Sequence, residues 1–265
     1  MKLSINQINE LKEKKVPRYL IINGLMLRQF SDEAKYATYI NSYSESIKQH
    51  YYKGMKNVVC LGDPRMDDYF GQTKTEGINR TIPTVSIGTS GFSNLDLNSY
   101  LAVEFEFMFD ILTAFQELQS AGSIFNLIIK VRPNGILDQY IQFTKEYFSE
   151  LKIELIRELP ISQVLYKTDL YISIYSQTLF EASCLGIPVI YYKNDKEIID
   201  PPFDAKSELV TVDTVEGMKQ AFLDFQVSHD RFKSFLDKSV MEKYIGPLDG
   251  KNLERNLSFV YELLD

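Results

Sequence analysis

The chain has 265 residues, enough for one large domain or two small ones, and its 45% hydrophobic and 25% charged residues are an ordinary globular composition. A net charge of −7 argues against a general nucleic-acid binder. Only two histidines, His50 and His229, are present, and Cys60 and Cys184 stand in no metal-like spacing, so no metal site is expected and the cysteines read as buried thiols of a reducing compartment. The opening residues lack the apolar core of a signal peptide, and no run reaches the roughly 18 apolar residues of a membrane span. The expected location is cytoplasmic, with at most peripheral association at the inner face of the membrane.

In chain order, "RYLIIN" (18–23) is a short strand, 31–54 is polar and tyrosine-rich with a helix over 44–52, and "NVVCLGDPRMDDYF" (57–70) is a strand followed by a turn at 62–64. A polar linker, "GQTKTEGINRT" (71–81), marks a domain boundary. Beyond it, short apolar runs alternate with helical segments. The strands are "TVSIG", "FNLIIKVRP", "KIELI", "DLYISI", "PVIYY" and "ELVTV"; the helices cover 98–120, 136–150, 162–167, 177–185 and 214–226. This alternation predicts βαβ units, hence an α/β doubly wound parallel sheet of about six strands. Residues 229–265 read as two helices separated by "IGPLDGK". The division is an N-terminal α/β segment over 1–75, a Rossmann-like domain over 76–245, and a C-terminal helix over 246–265 packing back.

Ligands of such sheets bind outside the carboxyl ends of the strands. Three loops end there: Gly88, Thr89, Ser90 and Gly91 after "TVSI"; Lys130 to Pro133 after "LIIK"; and Tyr175 to Thr178 after "YISI". The first offers small residues, backbone N–H groups and two hydroxyls to a phosphate, or is simply a tight turn. In the second, Lys130 and Arg132 lie two apart on one strand face, and Arg132 suits a phosphate or carboxylate or else pairs with an acid such as Glu158. In the third, Ser176 or Gln177 caps a helix whose start attracts an anion, and Glu181 one turn on either accepts from a sugar hydroxyl or is an exposed first-turn acid.

The order "KVRP", "SQTLFEASCLGIPVIYY", "YIGPLDGK" resembles the nucleotide-binding half of GT-B glycosyltransferases. More narrowly it resembles capsule sialyl- and Kdo-transferases and CDP-glycerol glycerophosphotransferases. "VVCLGDPRMDDYF" is similar to the G-x-P-R-x-D turn of the last group, and the resemblance spans about residues 57–265. It implies that Glu181 binds the nucleotide ribose and that Ser176, with Thr178 as a second candidate, binds phosphate. The family's Lys-x-His-Pro motif falls on Lys130 to Pro133. Arginine replaces histidine at 132, and Gln177 replaces a second serine. An arginine neutralises a leaving phosphate but does not donate a proton near neutral pH, so a general-acid role does not carry over to 132.

The resemblance implies a metal-independent glycosyltransferase of surface polysaccharide assembly. It would use a nucleotide-activated sugar as substrate, a glycan or lipid-linked acceptor, and no separate cofactor. Nucleotide-binding candidates are Gly88, Thr89, Ser90, Gly91, Lys130, Arg132, Ser176, Gln177, Thr178 and Glu181; no catalytic base is assigned, and Asp63, Asp67 and Asp68 read equally well as turn and capping residues. Glycerophosphate transfer from a CDP-activated donor, a catalytically silent binding or assembly subunit, and a sugar-nucleotide epimerase stand as alternatives. The last needs acid/base carboxylates that the sequence does not place. The N-terminal segment reads as the last pieces of a first domain, about two strands and a helix, in a shortened chain or a reduced domain. Val58, Val59 and Leu61 are expected in an internal strand with uncovered apolar edges, which points to a homodimer or a partner domain.

Overall fold

The computed structural model describes residues 5–22, 36–74, 77–89, 98–194 and 198–264. The chain forms two compact units, Met1–Phe70 with Lys238–Asp265, and Gly71–Asp237.

The larger unit is built on six parallel strands: β4 (Thr84–Gly88), β5 (Asn126–Lys130), β6 (Ile153–Ile156), β7 (Leu170–Ser173), β8 (Val189–Tyr192) and β9 (Thr211–Val212). Their spatial order is β6-β5-β4-β7-β8-β9, all pairs parallel. This is the doubly wound order, reversing direction between β4 and β7. The central strands are apolar runs because both faces are covered: every residue of β7 and β8 is buried, while β6, an edge strand, buries only Ile156 fully. Helix α3 (Asn98–Ser120) buries Phe107, Met108, Ile111, Leu112, Phe115 and Leu118, a spacing of three and four that makes one helical face. α4 (Leu137–Tyr147), α5 (Ile161–Leu165), α6 (Thr178–Cys184) and α7 (Val215–Gln226) complete the unit. Phe115 of α3 meets Phe222 of α7 edge-on at 5.3 Å, and Thr214 caps α7 by accepting from Gly217 N–H at 3.1 Å.

The smaller unit holds α1 (Ile5–Glu13), β1 (Tyr19–Ile21), β2 (Tyr39–Asn41), α2 (Glu45–Tyr51), β3 (Val58–Val59), a 3-10 turn at Pro64–Tyr69, α8 (Lys238–Ile245) and α9 (Asn252–Glu262). Its three strands are parallel in the order β1-β2-β3. Two expectations are corrected here. Val58 and Val59 lie on an edge strand of the described sheet, and the internal strand is Tyr39–Asn41, hidden in a stretch that reads as polar. Its tyrosine neighbours are core residues: Tyr43, Tyr51 and Tyr52 are all buried. The cysteines are half-buried rather than buried, and neither forms a disulfide. Burial pushes the Cys60 thiol up to about 11, so it is not a thiolate near neutral pH.

Asp63 and Asp67 of "GDPRMDDYF" hold backbone N–H groups. Asp63 caps the 3-10 turn, accepting from Arg65 N–H at 3.1 Å. Asp67 caps α9, its two oxygens accepting from Asn252 N–H (3.0 Å) and Leu253 N–H (2.7 Å). Among the described residues no helix is long and apolar enough to cross a membrane.

Candidate functional site

The order reversal between β4 and β7 leaves a crevice at the carboxyl edge of the sheet, where helices leave the strands on opposite sides. A pocket of about 420 Å³ lies there, lined by Gly88 and Thr89 at the end of β4, Lys130, Arg132 and Pro133 at the end of β5, Arg157 to Ile161 after β6, Tyr171 of β7, and Ser176 and Thr178 beyond it. Of the sequence candidates, Gly88, Thr89, Lys130, Arg132, Ser176 and Thr178 line one space. Ser90 and Gly91 lie outside the described residues. Gln177 and Glu181 are not among the lining residues.

Each of these side chains is held by identifiable contacts. Lys130 is buried, and its ammonium donates to the carbonyls of Val131 (2.7 Å) and Arg157 (2.8 Å), fixing the loops after β5 and β6 to each other. Burial lowers its pKa, partly offset by Glu158. Arg132 is half-buried, and its Nε–H donates to Asn134 Oδ1. Glu158, the acid of the alternative reading for Arg132, accepts from Arg157 Nε at 2.7 Å. On the third loop, Ser176 Oγ and Thr178 Oγ1 are 2.8 Å apart, and Thr178 Oγ1 is 2.6 Å from the hydroxyl of Tyr171. Gln177 occupies the cap position without a side-chain cap bond; the oxygen that accepts from Thr178 N–H, at 3.3 Å, is Ser176 Oγ. Glu181 is buried rather than an exposed first-turn acid.

Tyr171 is a lining residue that sequence reasoning missed. It is the polar-tipped member of the strand "DLYISI", two before Ser173 and so on the same face. Burial raises its hydroxyl above the ordinary phenol range, so it stays protonated as a donor. It also explains Gly88: a Cβ there would lie 1.9 Å from Tyr171 Oη. Gly88→Ala should therefore destabilise the fold by about 1–3 kcal/mol through overpacking. Adding Tyr171→Phe, which deletes the colliding atom, should recover part of the loss in urea melts. Identical melts for Gly88→Ala and wild type would refute the close approach.

Arg132 and the hydroxyls of Ser176 and Thr178 give the pocket a guanidinium and a cluster of rotatable donors, a set that suits phosphate oxygens, while the other lining cations are engaged, Arg157 with Glu158 and Lys130 with backbone carbonyls. The carbonyl-held Lys130 stiffens the wall. Among the described residues no group of three or more His, Cys, Asp or Glu side chains could hold a metal ion.

No protein-family model matches the chain, and no curated protein matches it. Solved structures do. UDP-GlcNAc 2-epimerase from Neisseria meningitidis bound to UDP-GlcNAc is 14% identical with a TM-score of 0.67, over 97% of this chain and 72% of that one. S. aureus MnaA, solved with UDP, is 15% identical with a TM-score of 0.64, again over 97% and 72%. TarM is 12% identical with a TM-score of 0.59, over 94% of this chain and 50% of its own. At these identities the likeness is one of fold, and the chain has the α/β, Rossmann-like GT-B fold that those proteins share.

Proposed function

We propose that the pocket binds a nucleotide-activated sugar and that the chain is a glycosyltransferase of surface polysaccharide assembly, working without a metal. The observation that carries this is the convergence of Arg132, Ser176 and Thr178 on one pocket at the order reversal of the sheet. The guanidinium would neutralise charge that develops on the leaving nucleotide, with the two hydroxyls donating to the same phosphate, so stabilisation grows as the glycosidic bond breaks. Arg132 remains charged throughout, so it acts electrostatically and moves no proton.

The 2-epimerases among the structural neighbours favour a second reading, epimerisation of the donor sugar. It needs acid/base carboxylates facing the sugar. Among the described residues lining the pocket, the one carboxylate is Glu158, and it is ion-paired to Arg157 at the exposed rim. Incubation with UDP-, GDP-, CMP- and CDP-linked donors separates the readings: nucleotide release marks transfer or hydrolysis, an epimer without release marks epimerisation, and binding without either marks a silent subunit.

Arg132→Ala should weaken nucleotide binding by about 1.5–3 kcal/mol, the size of a charge-assisted hydrogen bond. The melting curve should barely move, because the side chain is half-exposed. Calorimetry reading equal affinity in variant and wild type would remove Arg132 from the site.

A further inference from the structure

The amino edge of the small sheet gathers charge from two segments far apart in the chain. Strands β1, β2 and β3 are parallel, so the segments that enter them share one edge. Lys12, Lys14 and Lys15 lead into β1, at the end of α1 and in the turn after it; Lys53 and Lys56 lead into β3, in the turn after α2. Contacts between the entering segments hold them together: Arg18 N–H donates to Thr38 Oγ1 at 3.0 Å, and Asn57 Nδ2 to Ala37 O at 3.4 Å. All five lysines are exposed. Lys14 pairs with Glu10 and Lys12 lies over the Tyr36 ring, but Lys15, Lys53 and Lys56 form no ion pair among the described residues. The carboxylates described at this edge are Glu10, Glu13 and Glu262.

Helix α9 brings a second property to the same edge. Asn256 meets Asn41, the last residue of β2, and Phe259 packs edge-on against Tyr39, its first residue. The helix therefore runs antiparallel to the strands, and its end passes beyond their start. There Tyr261 and Leu264 are 65% and 69% exposed. A surface helix ordinarily turns its apolar stripe inward. The inner face of α9 instead carries the buried Asn252 and Asn256, and Leu253, Leu257, Tyr261 and Leu264 are left outside. Val16, beside Lys15, is exposed as well.

We propose that this edge docks the protein on an anionic lipid surface, with the lysines on the headgroups and Tyr261 and Leu264 in the boundary between headgroups and acyl chains. Lysine is a hydrated point charge that needs no fixed partner geometry, which suits a smeared surface charge. An exposed tyrosine and leucine beside it supply the apolar contact that an interfacial site requires. Nucleic acid would use the lysines but leave the leucine idle, and the rest of a chain with net charge −7 would be repelled by it. The same net charge fixes orientation at a membrane, because only this edge is attracted. The proposal stands independently of what the pocket of the larger unit binds.

The test is cosedimentation of the full chain with vesicles of equimolar phosphatidylglycerol and phosphatidylcholine, alongside vesicles of phosphatidylcholine alone. The chain should bind the mixed vesicles, release them as salt rises, and leave the phosphatidylcholine vesicles unbound. Lys53→Gln and Lys56→Gln should each weaken binding about fivefold, the contribution of one lysine near such a surface. Tyr261→Ser with Leu264→Ser should weaken it at every salt concentration. All four side chains are exposed, so urea melts should stay at wild type. Lys167→Gln removes an exposed lysine of the larger unit and should bind as wild type does. No binding to the mixed vesicles, binding unmoved by the four changes, or an equal loss with Lys167→Gln overturns the proposal. A chain that ignores the mixed vesicles but retains a DNA duplex through the same lysines makes nucleic acid the occupant and overturns it too.

Discussion

Asp169→Ala should cost the larger unit about 3–5 kcal/mol, the typical penalty for removing one partner of a buried ion pair. The side chains of Asp169 and Lys74 are each only 6% exposed, and the ammonium donates to Asp169 Oδ1 and to Thr168 O at 2.9 Å. The carboxylate has further work: Oδ1 accepts from Asn79 N–H and Oδ2 from Thr84 N–H, each at 2.9 Å. One side chain thus ties Lys74 and Asn79 to Thr84 at the start of β4. Removing it strands a buried ammonium and two backbone donors, and a loss of that size is a large share of the about 5–15 kcal/mol that holds a domain together. Urea melts of the full chain read the cost directly. Lys74→Met with Asp169→Leu should lose less, because an apolar pair leaves no buried charge uncompensated and only the Asn79 and Thr84 N–H groups lose their acceptor. The site lies at the opposite end of β4 from Gly88, about 13 Å along the strand, so nucleotide affinity under folding conditions should not change. A melt unchanged by Asp169→Ala would show that the pair is solvated.

The uneven legibility of the fold follows from where polar groups find their partners. Strands β4, β5, β7 and β8 are readable because a parallel sheet covered on both faces needs unbroken apolar runs, and "TVSIG", "NLIIK", "LYIS" and "VIYY" supply them. The carboxyl-edge rule then finds Gly88, Thr89, Lys130, Arg132, Ser176 and Thr178 without any structure. Strand Tyr39–Asn41 is not readable, because its buried polar residue is satisfied by distant segments: Asn41 Nδ2 donates to Gly62 O (2.8 Å) and Asn256 Oδ1 (2.9 Å). The same applies to Glu104, whose partner Tyr140 comes from another βαβ unit, and to Asp169, whose partner is 95 residues away. The pairing of Arg157 with Glu158 shows the converse: Glu158, the acid offered as the alternative partner of Arg132, is held by its own chain neighbour.

Gly246→Ala should be the most damaging single-methyl change in the smaller unit. Gly246 has φ +80°, in the left-handed region that costs a side-chain-bearing residue about 1–2 kcal/mol. A Cβ on it would also meet backbone, 2.5 Å from Gly62 Cα and 2.6 Å from Tyr43 O. Backbone does not rotate away as a side chain does, and overpacking of this kind adds about 1–3 kcal/mol. Three segments converge at this point: Gly62 N–H donates to Tyr43 O at 3.0 Å, Asp63 N–H to Ile245 O at 2.9 Å, and Ser44 Oγ to Lys243 O. The glycines of "LGDPR" and "YIGPLDGK" thus serve the packing of β3, the turn after α8 and the loop after β2. Gly54→Ala is the matched control. Gly54 has φ +83° but nothing within 4 Å of where its Cβ would stand, so it should show the backbone cost alone. In urea melts, the difference between the two variants measures the contact cost at Gly246. Equal losses would mean that the segments separate to admit a methyl, and that hydrogen bonds rather than close contact fix their spacing.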